Sequence, residues 1–86
     1  MAKYEVFIKA SAAKELEGIE TKKGRRRIAA HIQELTKNHR PPGFQKLSGA
    51  DKYRIRCGNY RIVYSIKEDD LIVQIVKIGH RSEVYR

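Results

Sequence analysis

The sequence predicts an α+β fold: one strand, two helices and a three-stranded antiparallel meander in that order, with the helices packed on one face of the sheet. Two observations carry this prediction. Apolar residues recur at helical spacing in two segments ahead of the Pro41-Pro42-Gly43 stretch, and three β-rich runs joined by short polar turns follow it. At 86 residues the chain suits one domain spanning residues 1–86, so binding and chemistry have to share a single scaffold.

Tyr4 to Lys9 alternates as a short strand, with Tyr4, Val6 and Ile8 on one face and Glu5, Phe7 and Lys9 on the other. Ser11 is the expected N-cap of the first helix, in which Ala12, Leu16 and Ile19 share a face up to Gly18 and Ile19. A break is expected from Thr21 to Gly24. Beyond it Ile28, Ile32 and Leu35 form the apolar stripe of a second, basic helix. Asn38 to Gly43 cannot continue a helix, because proline lacks the N–H and constrains the residue before it. Lys52 to Cys57, Tyr60 to Ile66 and Leu71 to Ile78 are then predicted strands, turning at Gly58-Asn59 and Glu68-Asp69-Asp70. The third is apolar on both faces apart from Gln74 and Lys77, as an interior strand would be. Gly79 to Arg86 is read as a tail.

Charge narrows the function. The net charge is +9, and from Thr21 to Arg61 twelve Lys and Arg face only Glu34 and Asp51, an excess of ten positive charges. Such a concentration predicts a polyanionic partner, nucleic acid or an acidic protein, because each neutralised phosphate releases counterions and the summed field speeds encounter. These basic residues are not matched with the aromatic and leucine face of an interfacial helix, so membrane binding is not expected. The N-terminus lacks the apolar stretch of a signal peptide and no run is long enough to span a bilayer, which makes a cytoplasmic protein the expectation. Cys57 is the only cysteine, so no internal disulfide and no multi-cysteine metal site is expected.

Two segments can carry chemistry. With Tyr53, Ile55 and Cys57 facing the helices, Arg54 and Arg56 point the other way, and Arg61 joins them from the next strand. Three guanidiniums on adjacent strands repel one another unless an anion sits among them. The alternative is an ordinary solvated sheet face. The second segment is the tail, IGHRSEVYR, which sets His80, Arg81 and Tyr85 close behind an interior strand. Internal cleavage of RNA needs a base for the 2′-OH, cations for the phosphorane and a donor to the leaving oxygen, all available from such residues without a metal or cofactor. His80 and Tyr85 compete for the base: histidine by its intrinsic pKa, tyrosine if a dense positive field lowers its own.

Over nearly its whole length the chain resembles the RelE/ParE toxin superfamily of small bacterial and archaeal toxins paired with antitoxins. The resemblance rests on KYRIRCGNYRIVYSI at Lys52 to Ile66, LIVQIVKIGHR at Leu71 to Arg81, SEVYR at Ser82 to Arg86 and LSG at Leu47 to Gly49. It implies a RelE-type toxin, a metal-independent mRNA interferase that enters the ribosomal A site and cuts the codon there by 2′-OH attack on the adjacent phosphate, inhibiting translation. The resemblance implies RNA contacts for Arg54 and Arg56, with Lys52 and Lys46 beside them. Arg61 is then the polarising residue, Arg81 the leaving-group donor or phosphate stabiliser and Tyr85 the base, with His80 as the competing base. Arginines stand where some relatives have lysines, which keeps the charge but replaces a point donor by a planar fork. The implied partners are mRNA, the ribosome with its rRNA, and a RelB-like cognate antitoxin in a heterodimer or heterotetramer. The alternative is a ParE-like toxin that poisons DNA gyrase by binding it, without nuclease activity; fold alone does not separate the two.

Overall fold

A computed structural model describes residues 4–47 and 52–80. The element order is β1 (Glu5–Ile8), α1 (Ala10–Glu17), α2 (Lys22–Glu34), β2 (Gln45–Lys46), β3 (Lys52–Cys57), β4 (Tyr60–Lys67) and β5 (Ile72–His80). The strands form one sheet in the order β1-β5-β4-β3-β2. All neighbours are antiparallel except β1 and β5, which run parallel from Glu5 opposite Ile72 to Ile8 opposite Ile75. The predicted two-helix layer on an antiparallel meander is present, and β5 is interior as its apolar faces require.

Both helix starts differ from the sequence reading. Ser11 does not cap α1: the helix begins at Ala10 behind Lys9, and no side chain caps it. The strand dictates this start, because the Lys9 N–H still donates to the Ile75 carbonyl at 2.9 Å while the Lys9 carbonyl already accepts from Ala13. Nor is Thr21 to Gly24 a break. Thr21 is the N-cap of α2 and its Oγ1 accepts from the Gly24 N–H at 3.0 Å. Glycine is needed there for space, since a Cβ at Gly24 would stand 2.8 Å from that hydroxyl oxygen and 3.2 Å from Ile19 Cγ2. After the proline turn the chain returns as β2, which sequence analysis did not include, and β5 runs on to His80, so Gly79 and His80 belong to the sheet rather than to a tail.

Ala12, Ile19, Ile28, Ile32 and Leu35 from the helix layer close on Ile55, Cys57, Ile62, Tyr64, Val73, Ile75 and Ile78 from the sheet. β1 is shorter than β5, and the edge it leaves uncovered is closed by α1: the Ile78 N–H donates to Glu15 Oε1 at 3.0 Å while Lys77 Nζ meets Glu15 Oε2 at 3.2 Å. The register of β4 on β5 shifts between Val63 and Tyr64, leaving Val76 of β5 as the extra residue, so that Ile78 and Ile75 both face the core opposite Ile62 and Tyr64.

The loop between α2 and β2 is tied to the sheet by side chains. Tyr64, fully buried, donates its hydroxyl to the His39 carbonyl at 2.8 Å. Arg40 lies 5.6 Å over the Tyr53 ring and pairs with Glu68, which holds the Glu68 carboxyl below its usual range. Arg40 Nη1 also donates to His39 Nε2 at 2.8 Å, and burial with that cation beside it lowers the His39 pKa. Burial pushes the Tyr64 phenol up to about 12. Ionisation is therefore easier in the unfolded chain, so the stability Tyr64 contributes is complete below its unfolded pKa and drains away as pH rises from there towards about 12. Urea unfolding at rising alkaline pH is expected to show a steeper loss for the wild type than for Tyr64→Phe, although at neutral pH the variant is weaker by about 1 kcal/mol for the missing hydrogen bond. Parallel alkaline curves would contradict this.

Candidate nucleic-acid interface

The helices occupy one face of the sheet, and among the described residues no helix lies on the other, the open face. Strand alternation and register decide which charges stand on it. Arg54 faces Val63 and Arg56 faces Arg61 across β3 and β4, and Arg61 in turn faces Gly79 on β5. Arg54, Arg56 and Arg61 thus converge on the open face, where with Gly43 and Gln45 they line a cleft of about 270 Å³. Lys52 lies on the same face at the other end of β3, opposite Ser65. Lys46 does not join them: it pairs with Tyr53, whose ring packs on the core, so it is directed to the helix side at the sheet edge.

Arg61 is the unusual member. It is only 3% exposed, the one buried charged side chain among the described residues. Its Nη1 donates to the Tyr60 carbonyl at 3.3 Å. Burying a guanidinium is costly unless its donors are engaged, and here the central strand fixes it at the base of the cleft with no side chain opposite at Gly79. Arg54 is half-buried and donates to the Gln45 side chain, while Arg56 is exposed. A buried guanidinium below and more exposed ones at the rim can grip a phosphodiester from several directions.

Gly43 and Gln45 were missed in the sequence. Gly43 has φ of 87°, a left-handed conformation that suits glycine, and it turns the loop into β2. The signal available was the Pro41-Pro42-Gly43 turn, but a two-residue strand has no periodicity to read.

His80 is separated from the arginines. It stands opposite Tyr60 on β5, with ring centroids 5.7 Å apart in an edge-on arrangement, and lies on the helix side beside Ile78, Ile19 and Thr21. Arg81 and Tyr85 lie outside the described residues. No group of three His, Cys, Asp or Glu side chains that could hold a metal occurs among the described residues, and no helix there is long and apolar enough to cross a membrane.

The described residues thus form a two-helix layer on a mixed sheet with a cationic cleft on the face away from the helices. The family model for the ParE toxin of type II toxin-antitoxin systems, parDE, matches residues 6–85. Among solved structures, the chain is 31% identical to the archaeal RelE of a RelE-RelB complex from Pyrococcus horikoshii OT3, covering 94% of this chain and 97% of that one with a TM-score of 0.82. It is 28% identical to the isolated E. coli RelE toxin, over 95% and 90% of the two chains with a TM-score of 0.77. A RelB-RelE complex from Methanococcus jannaschii matches at 26% identity over 92% and 94%, with a TM-score of 0.72. A comparison with curated proteins found no match. The chain is the toxin of a type II toxin-antitoxin system and belongs to the RelE/ParE toxin superfamily, RelE-like in structure.

Proposed function

We propose that this toxin is a ribosome-dependent endoribonuclease that cuts mRNA in the A-site codon. The observation that carries the reading is the convergence of Arg54, Arg56 and a buried Arg61 around one cleft on the open face. In the proposed reaction the 2′-OH attacks the adjacent phosphorus, the P–O5′ bond breaks, and a cyclic phosphate and a 5′-OH result. Arg61 stabilises the charge gathering on the phosphorane, with Arg54 and Arg56 holding the strand. Tyr85 takes the 2′-OH proton and Arg81 serves the leaving oxygen or the phosphate. His80, standing across the sheet beside Tyr60, is the weaker choice for the base. The solved relatives in complexes with RelB support a RelB-like antitoxin as the partner that neutralises the toxin, in a heterodimer or heterotetramer. The cytoplasm, where ribosomes are reached, is the proposed compartment.

The match to the ParE toxin family favours a second reading, a ParE-like toxin, for which the proposed action is binding and poisoning DNA gyrase without nuclease activity. One experiment separates them: primer extension on mRNA incubated with the purified protein, with and without programmed ribosomes, beside a gyrase cleavage assay. Cuts confined to the A-site codon and dependent on ribosomes are expected. Intact mRNA together with trapped gyrase-DNA complexes would replace the nuclease reading by the second.

A further inference from the structure

We propose that the groove between the end of α2 and the free edge of β3 is a nucleobase pocket selective for guanine, which holds the base next to the phosphate in the arginine cleft. This rests on the reading of the toxin as an enzyme that acts on RNA, and deepens it by assigning the residues that choose among bases.

The strand register creates the groove. β2 pairs with β3 only at Tyr53 and Arg54, so from Ile55 onward that edge of β3 has no neighbouring strand among the described residues. The end of α2 and the Pro41-Pro42-Gly43 turn bound the gap, whose volume is about 350 Å³. Ile55 and Arg56 point to opposite faces of the sheet yet both line it, so the groove passes round the sheet edge. Gly43 and Arg56 also line the cleft that holds Arg54 and Arg61. A phosphate in the cleft and a base in the groove are therefore neighbours across a shared wall, as they are within a nucleotide.

The chemistry of the groove differs from that of the cleft. Glu34 is one of only two acids in the basic stretch from Thr21 to Arg61. It stands in the groove wall, exposed and in neither of the ion pairs among the described residues. A carboxylate there repels phosphate and accepts N–H groups, and the N–H donors of RNA are on its bases. Asn38 follows one helical turn later, its N–H donating to the Glu34 carbonyl at 3.0 Å, so the two side chains leave the same flank. The Asn38 Oδ1 accepts from the Arg40 N–H at 3.1 Å, which leaves the amide NH2 to meet a ligand. Pro41 and Pro42 add apolar surface, and the Arg56 guanidinium is a plane on which a base can stack.

Guanine suits this set better than any other base. Its Watson–Crick edge carries adjacent donors, the N1–H and the N2 amino group, for the two carboxylate oxygens, with O6 beside them to accept from Asn38. Adenine and cytosine put a ring-nitrogen lone pair next to their amino group, and uracil flanks its N–H with carbonyls. Each of these would set a lone pair against Glu34.

The test is equilibrium binding of guanosine 3′- and 5′-monophosphate to the purified toxin, each against its adenosine, cytidine and uridine counterparts, for the wild type and Glu34→Gln. One guanosine ester is expected to bind about tenfold or more tightly than the other bases of its series, the effect of one bidentate base contact. Which ester does so tells on which side of the phosphate the base lies. Glu34→Gln is expected to bring guanosine down to the level of the others without weakening them, since they share only the phosphate contact. The thermal midpoint should stay at the wild-type value because Glu34 is exposed. No measurable binding, or equal affinity for all four bases, overturns the pocket, as does a guanosine preference that survives Glu34→Gln. Loss of antitoxin binding in the variant with guanosine selectivity unchanged gives the groove to a basic side chain of a protein partner instead. Selective guanosine binding by a toxin that leaves ribosome-bound mRNA intact keeps the pocket and defeats only the reading of function.

Discussion

Arg61→Ala is expected to slow A-site cleavage roughly 100- to 1000-fold, the cost of removing one preorganised charge donor from a transition state, while changing ribosome affinity little. The asymmetry follows from position. Arg61 is buried at the base of the cleft and in the proposed reaction reaches only a phosphate seated within it, whereas Arg56 at the rim would meet RNA before the reacting bond is in place. Single-turnover cleavage at saturating ribosomes, set beside equilibrium binding, measures the two losses separately. Matching losses in rate and binding would make Arg61 an ordinary RNA contact. Arg61→Lys is expected to recover only part of the rate, because an ammonium keeps the charge without the planar fork that spans two phosphate oxygens. Unfolding curves for both variants guard against a collapsed core strand being mistaken for lost chemistry.

The second large effect is expected at Tyr85. Tyr85→Phe should lower the rate of the chemical step by about 100- to 10,000-fold, the range for losing a positioned proton-transfer group, with His80→Ala close to wild type. Arg81→Ala should also slow the chemical step. The reverse order for Tyr85 and His80 would require His80 to leave Tyr60 and cross to the open face during the reaction. A pH–rate profile adds a check that a merely structural tyrosine would not move: Tyr85→Phe should remove the rise in rate that belongs to its ionisation, and a profile unaltered by the substitution would take the base role away from it.

The arginine face was legible because alternation along β3 and β4 is regular: once Ile55 and Ile62 are assigned to the core, Arg54, Arg56 and Arg61 can only point away. Other parts were hidden for identifiable reasons. The start of α1 is set by a hydrogen bond to Ile75, far along the chain, so a local cap signal at Ser11 carried no information about it. Gly24 looked like a helix breaker, although it serves the close approach of Thr21. The parallel pairing of β1 with β5 leaves no trace in the periodicity of either strand. Lys46 and His80 followed the charge and composition of their segments in the sequence, but side-chain parity in β2 and β5 sends both to the helix side. Arg81 rests on the LIVQIVKIGHR motif, Tyr85 on SEVYR, and both on the family to which the chain belongs.

The loop from His39 to Gln45 has a further consequence. Its ties to Tyr53, Tyr64 and Glu68 include one exposed ion pair of small energetic value, but the buried Tyr64 hydroxyl and the packing of Phe44 on Tyr53, centroids 6.0 Å apart, hold the wall of the cleft from within. A gap whose wall is already in place selects its guest by width and does not need to close around it. Little backbone freedom then remains to be lost when a nucleotide enters, and discrimination among codons would be expressed in how well each bent strand fits an unyielding slot, with mismatched geometry rejected at the entrance rather than after capture.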